Sequence, residues 1–408
     1  MLRSAEKFDV GGLLLDRPFK IRRLGHFGFD NVKMAESVRF YSDLLGFRVS
    51  DVLDFRRAEP KPGAFDWLGE TRGYFMRHGN EHHSMVLFPR RVRQAMARGA
   101  GNPEVTTNQI TFQVGSLAEV VEGHHWLVGT RGVEMERAGR DILGSNYHSY
   151  LYDPDGHVIE LFYGVQQIGW DGRSKPAFKT YRRMPEVSPL PQPAEYDEVA
   201  TEEATGTDLA SGYRGTDAPP AKYEVGGVLL PRPFKIVRIG PVRLFVKDVA
   251  ASLAYFRDLM GFIASEEVVF EGHRCAFLRL NTEHHSLALY PLALRARLGL
   301  SAHSTCASFG LQLGSYRQLR DAIPFLNANG VETFELPPEL RPGIDYAFYV
   351  RDPDGHALEL YYYMEQVGWD GRVRRPDERR PMRPGVWPEA LEPMGDAYMG
   401  EPFLGPLG

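Results

Sequence analysis

The chain repeats itself, and that limits what it can fold into more than any other feature. FDVGGLLLDRPFKIRRLG from Phe8 returns as YEVGGVLLPRPFKIVRIG from Tyr223, 215 positions later. GNEHHSMVLFP, with His82 and His83, returns as NTEHHSLALYP, with His284 and His285, 202 positions later. YDPDGHVIELFY and IGWDGR return at a spacing of 199, so Glu160 matches Glu359 and Trp170 matches Trp369. The second copy is therefore shorter by 13 residues ahead of its His-His pair and by 3 more after it, differences that loops absorb. Two homologous halves follow, over 1–185 and 223–408. Between them 186–222 reads as a linker, with five prolines and eight acids against two bases and little apolar periodicity. The segment after Arg374, again rich in Pro and Gly, reads as a tail.

Each half divides once more. RRLGHFGFDN reads as a strand, and Met34, Val38, Tyr41 and Leu45 then recur at helical spacing up to Gly46. Strands follow near Phe47–Leu53, Gly73–His78 and His83–Phe88. The plan repeats with NQITFQV as a strand, a helix from Ser116 to Val128, VEMERA as a strand, and SYLYDPDGHVIELFY turning at Asp155-Gly156. The order is βαβββ twice per half and four times in all. The fold class is α+β: four modules paired into two halves, with curled, mixed sheets enclosing cavities between modules.

Composition closes several alternatives. A net charge of −5 does not favour binding to a nucleic-acid backbone. No apolar run approaches the roughly twenty residues of a membrane span. With only Cys275 and Cys306, neither a disulfide framework nor a thiolate-rich metal site is available. The opening MLRSAEKFDVGG has no secretory apolar core, so a cytoplasmic location is expected.

LGHF at His26, FYSDLLGF from Phe40 and DPDGHVIEL around Glu160 resemble the vicinal oxygen chelate superfamily of glyoxalases, bleomycin-resistance proteins and extradiol ring-cleaving dioxygenases. The resemblance covers both halves but neither linker nor tail. Within the superfamily, EHHSMVLFP most resembles the dioxygenase segment that supplies a catalytic histidine, and an active half paired with a vestigial one also fits that branch. The resemblance implies a divalent metal held by His26, Gln109 and Glu160, with His83 as acid or base and Tyr150 on the substrate. It implies Fe(II), alternatively Mn(II) or another divalent metal, with an aromatic catechol and O2 as substrates and homo-oligomeric assembly as the default. Two departures stand out. Gln109 lies where dioxygenases carry histidine, and Asp141 lies where their second catalytic histidine would be. An amide ligand suits a glyoxalase-like isomerase or lyase, and a metal-free module that binds an aromatic compound is a third possibility.

One half serves as a control for the other. His26 falls on Pro241, Gln109 on Ser308 and His148 on Ala347, while His83, Tyr150 and Glu160 recur as His285, Tyr349 and Glu359. A proline side chain cannot ligate a metal, so the metal is expected in the first half alone. Retention of Glu359 leaves a structural ion pair as the rival reading for these glutamates. His148, lost in the second half, is a further catalytic candidate, because strand alternation puts it on one face with Tyr150 and Glu160. The remaining clusters read as structural. His124 and His125 are expected to face solvent on a helix. Arg90, Arg91, Arg93 and Arg98 read as a solvated helix face, His157 and His356 as local hydrogen-bonders, and GWDGR as a docking segment.

Overall fold

The computed structural model describes residues 7–58, 61–96, 101–141, 144, 147–176, 186–192, 194–215, 219–368 and 370–392. The first half opens with a hairpin, β1 (Phe8–Val10) and β2 (Leu13–Leu15). Its first module is β3 (Arg23–Asn31), α1 (Met34–Arg39), β4 (Arg48–Asp54), β5 (Arg72–Arg77) and β6 (Met85–Pro89), followed by the short α2 (Arg90–Ala95). Its second module is β7 (Thr107–Gln113), α3 (Leu117–His124), β8 (Met135–Arg140), β9 (Tyr147–Tyr152) and β10 (Val158–Tyr163). The eight module strands make one mixed sheet in the order β4-β5-β6-β3-β7-β10-β9-β8, in which β3 runs parallel to β6 and antiparallel to β7.

The 186–222 segment is not structureless. It carries α4 (Glu195–Ala204), which lies against the first half through an Arg140–Glu198 ion pair and buries Glu202 completely.

The second half follows the same plan. It has a hairpin, β11 (Tyr223–Val225) and β12 (Val228–Leu230), then β13 (Ile236–Val246), α5 (Val249–Leu253), β14 (Ile263–Phe270), β15 (His273–Arg279), β16 (Leu287–Pro291) and α6 (Leu294–Arg297). Its last module is β17 (Cys306–Leu313), α7 (Tyr316–Ala328), β18 (Thr333–Phe334), β19 (Ala347–Arg351) and β20 (Ala357–Tyr361). The strand order is β14-β15-β16-β13-β17-β20-β19-β18, strand for strand that of the first half. The expected four-module α+β architecture is present.

Alternation along the strands gives each sheet two unlike faces. Phe27, Phe29, Ile110, Phe112, Ile159 and Leu161 point to one face, where they pack with Met34, Tyr41 and Leu45 of the first helical stretch. Burying each such ring or aliphatic chain is worth about 1.5–3 kcal/mol. This core continues into the second half: Phe27 stacks on Phe309 with centroids 4.1 Å apart, and Phe112 meets Phe262 edge-on at 5.1 Å. The opposite face of the first sheet carries buried polar side chains, among them His26, Gln109, His148 and Glu160, beside aromatic ones such as Phe88 and Phe162.

The two DPDG turns tie the halves together reciprocally. Asp354 accepts from the backbone N–H groups of Val32 and Lys33 at the start of α1, and Asp155 accepts from that of Lys247. His157 and His356 do more than bond locally. Each holds its own aspartate through Nδ1 (Asp153 at 2.8 Å, Asp352 at 3.0 Å), and each reaches the other half through Nε2, to Thr305 and Thr106.

Three further expectations need correcting. His124 is buried, with Nδ1 2.9 Å from Ser149 Oγ, because it lies seven residues after Leu117 on the inward stripe of α3; only His125 is exposed. Arg93 is buried as well, drawn inward by the buried carboxylate of Asp30 at 3.2 Å, while Arg98 lies outside the described residues. Trp170 of GWDGR is fully exposed; the segment docks through its neighbours, by burial of Ile168 and a Glu81–Gln167 bridge. Trp369 lies outside the described residues.

Candidate metal centre

The polar face of the first sheet collects the residues singled out in the sequence. β3 bulges between Leu24 and Phe27, and Thr111 Oγ on β7 bonds both the N–H and the C=O of His26 across that irregularity. His26 is thereby held with its Nε2 3.1 Å from Glu160 Oε2 on β10, and the two side chains are 1% and 0% exposed. Two glycines make the room. A Cβ on Gly25 would lie 2.1 Å from the ring of Phe162, which itself packs on His26 with centroids 4.8 Å apart. Gly28, one alternation beyond His26, puts no side chain over the sheet; a Cβ there would lie 3.1 Å from Asn108 Cβ and 3.2 Å from the Val86 carbonyl oxygen.

The last two strands form a hairpin rather than one continuous strand, and its register does what alternation was expected to do. Glu160 pairs with Tyr150, Phe162 with His148, and Arg137 on β8 with Tyr150. His148, Tyr150 and Glu160 therefore do share a face. Tyr150 OH donates to Gln109 Oε1 at 3.4 Å. Burial and then the Glu160 charge push its phenol well above the usual range, so it is a proton donor here.

His148 is buried rather than superficial, and Arg137 Nη1 lies 2.9 Å from its Nε2. A guanidinium can only donate, so that nitrogen accepts, and the imidazole proton sits on Nδ1, 3.9 Å from Asp141. Arg137 also makes a two-point bond to Asp141, at 3.0 and 2.8 Å, and stacks its guanidinium over Tyr150. Arg137 was not among the candidates read from sequence; a cation in a strand facing a cluster of polar residues was the available signal.

His83 precedes β6, and its ring lies against His26 with centroids 4.3 Å apart. Burial, and then the neighbouring His26 and His82, push its pKa well below 6.5, so it is neutral. Its Nδ1 is 3.0 Å from Nδ1 of His82.

The second half shows what kind of group this arrangement suits. By register Arg243 occupies the position of Gly28, since Gly28 pairs with Val86 and Arg243 with Ala288, the residue matching Val86. The Arg243 guanidinium bonds Glu359, lies 3.1 Å from His285 Nε2, and donates to Ser308 Oγ at 3.4 Å. Those three residues match Glu160, His83 and Gln109. The rival reading of Glu359 as a structural ion-pair member thus holds in the second half, with Arg243 as the partner. It also means that three site positions converge on a point able to hold a cation. In the first half Gly28 stands where the second half has Arg243, and an imidazole, His26, stands where the second half has Pro241.

An imidazole, a carboxylate and an amide oxygen form a mixed N/O set that suits Fe, Mn or another borderline divalent ion. The donors therefore fit a metal. Among the described residues no three His, Cys, Asp or Glu side chains gather as a ready-made site, so Gln109 or substrate and water oxygens have to complete it.

Comparison with known proteins agrees with this fold. The model of the glyoxalase/bleomycin resistance protein/dioxygenase superfamily matches residues 23–161 and again 238–360. A 2,2',3-trihydroxybiphenyl dioxygenase of Sphingomonas paucimobilis is 27% identical over 133 residues, which cover 33% of this chain and 44% of that one. A biphenyl-2,3-diol 1,2-dioxygenase of Rhodococcus globerulus is 34% identical over 108 residues, covering 26% and 53%. The chain thus spans about half the length of these relatives. A Mn(II)-bound glyoxalase from Novosphingobium aromaticivorans superimposes with a TM-score of 0.53 at 15% identity, covering 91% of this chain and 98% of that one. Both repeats, in sequence and in strand order, therefore lead to one assignment: the chain belongs to the glyoxalase/bleomycin resistance protein/dioxygenase superfamily.

Proposed function

We propose that the chain is a metal-dependent extradiol dioxygenase that opens a catecholic ring with O2, and that its active site is the first half alone. The observation that carries this is the exchange at one point of the fold: His26 and Gly28 in the first half, Pro241 and Arg243 in the second. The dioxygenase chemistry is supported by the relatives named above and by the His82-His83 segment.

His26 and Glu160, with Gln109, would hold the metal, and Fe(II) or Mn(II) would supply the path for electrons between ring and O2. The chain's own groups do the rest. Phe162 and Phe75 give the site aromatic walls beside His26 and His83. His83, neutral and packed against His26, takes a proton from a substrate hydroxyl. Tyr150 keeps its proton and donates to a substrate oxygen, steadied by the Arg137 guanidinium over its ring. His148 acts on the same group, because it, Asp141 and Tyr150 fix Arg137 from three sides.

A glyoxalase-like isomerase or lyase is the second reading, favoured by the Gln109 amide and by Asp141. The two separate on oxygen. Chain reconstituted anaerobically with Fe(II) or Mn(II) should consume O2 stoichiometrically with a catechol such as biphenyl-2,3-diol, giving a yellow ring-opened product. Metal-loaded chain that takes up no O2 with any catechol would turn the assignment to the isomerase.

A further inference from the structure

Each half carries the same buried file of side chains behind its site. In the second half it runs from Glu266 to His284, His285 and Arg243. Proton positions in it can be read from one end, because a guanidinium has donors and no lone pair. Arg243 Nη2 lies 3.1 Å from His285 Nε2, so that nitrogen accepts. A neutral imidazole with an accepting Nε2 carries its proton on Nδ1. That Nδ1 is 3.1 Å from His284 Nδ1, which must therefore accept, leaving the His284 proton on Nε2, 3.0 Å from Glu266. Burial alone would raise the Glu266 pKa, but the His284 and Arg379 hydrogen bonds outweigh it and hold it at about 2, as an accepting end requires. Arg379 Nη2 also approaches His284 Nε2, at 3.2 Å, but is closer to the same Glu266 oxygen, at 2.6 Å.

The first half repeats the file with a different far end. Asp51 Oδ2 lies 3.3 Å from His82 Nε2 and accepts from Ser174 Oγ at 3.0 Å; His82 Nδ1 lies 3.0 Å from His83 Nδ1. The spacing is tight in both halves. A Cβ on Gly144, at φ +72°, would fall 2.9 Å from His82 Nδ1, and one on the matching Gly343, at φ +80°, 2.5 Å from His284 Cγ. By the match of the halves, His83 takes the place of His285, whose Nε2 meets Arg243, and Gly28 takes the place of that arginine.

We propose that Asp51 and His82 are positioning residues that fix the tautomer of His83, so that its Nε2 presents a lone pair and not an N–H to the site. Asp51 accepts from His82 Nε2–H, His82 Nδ1 accepts from His83 Nδ1–H, and His83 is left as an acceptor toward whatever binds. The group it takes is a proton donor, such as the hydroxyl of a catechol, and not an anionic oxygen. Only this last consequence rests on the proposed function; the tautomer is a property of the chain itself.

The test is nitrogen-15 NMR of histidine-labelled, metal-free full-length chain, with His83 assigned by its loss in His83→Gln. Wild type should show His83 as a single tautomer protonated at Nδ1. Asp51→Ala removes the terminal acceptor and should populate both tautomers, and Asp51→Glu, which copies Glu266, should restore the first. In metal-loaded chain with a catechol, Asp51→Ala should lower kcat roughly 10–100-fold with KM little changed, and Asp51→Glu should recover it. His83 protonated at Nε2 in wild type overturns the proposal, whether or not the variants fold, and so does an unchanged tautomer in Asp51→Ala. An intact tautomer file with no oxygen uptake in wild type would instead count against the dioxygenase reading.

Discussion

The two halves hold the same strands in the same order and do opposite things with one face. In the first half that face gathers polar groups, His26, Gln109, Tyr150 and Glu160 beside Arg137, Asp141 and His148, and only a small apolar cluster, Phe55, Phe65, Leu68, Phe88 and Val92, lies next to them. In the second half it is an apolar cluster of Phe245, Phe277, Tyr290, Leu336, Leu340 and Tyr349, closed around one ion pair, Arg243–Glu359. The exchange is concerted. Gly28, Val86 and Asn108 give way to Arg243, Ala288 and Ala307, so the neighbours shrink as the arginine enters. A Cβ on Gly28 would already stand 3.1 Å from Asn108 Cβ and 3.3 Å from Val86 Cβ. Asp30 is replaced by Phe245, and Arg137 opposite Tyr150 by Phe334 opposite Tyr349. A buried carboxylate needs a positive partner. The second half supplies one as Arg243; in the first half Glu160 has His26 at 3.1 Å, and the proposed metal would be the cation there.

The largest effect should come from removing the glutamate that both halves share. Glu160→Ala should abolish bound metal and turnover together, and Glu359→Ala should leave both intact; metal analysis and oxygen uptake on the two variants check this. Next, Arg243→Ala strands Glu359 in an apolar cluster and should cost about 3–5 kcal/mol of stability. Arg243→Met with Glu359→Gln should recover most of that loss in denaturant titrations, because it removes the charge along with its partner. His148→Ala copies Ala347 and should slow turnover roughly 10²-fold while sparing metal content and stability.

The smallest effect is one of pH. Burial raises the Asp30 carboxyl to about 6, against the pull of Arg93 and Asn108. Its proton is therefore held more tightly in the folded state than in the unfolded one. Stability is full below the unfolded value near 3.8, falls as the pH rises to about 6, and is level above, a loss of about 1–3 kcal/mol. Phe245 has no such titration. Urea midpoints at pH 4 and pH 7 should accordingly differ more in wild type than in Asp30→Asn.

Much of this was legible in the sequence, because repeats report on structure without any reference. The four modules, the α1 stripe and the meeting of His26 with Glu160 all follow from periodicity, register and the family pattern. Arg243, the cation of the second half, was harder to see. VRLFV reads as an apolar strand, and only the rule that a cation buried in a strand must have a partner marks Arg243. Pairing it with Gly28 takes the 215-residue offset, and finding Glu359 as its partner takes the three-dimensional register. The inward turns of His124 and Arg93, and the reach of His157 and His356 into the opposite half, are tertiary facts with no local signature. α4 was hidden by its acids, which place it on a surface but do not prevent a helix.

The proposed equivalence makes a metal in the first half and Arg243 in the second alternative cations at matching points of the fold. It is tested by counting metal in a chain given the second half's solution twice. Gly28→Arg combined with Val86→Ala and Asn108→Ala transplants the arginine with the room it needs. Wild type, reconstituted anaerobically and cleared of loose metal, should carry one equivalent per chain. The triple variant, shown to be folded by its circular dichroism and its denaturation midpoint, should carry none. Two equivalents in wild type, or one equivalent surviving in the folded triple variant, would overturn that equivalence.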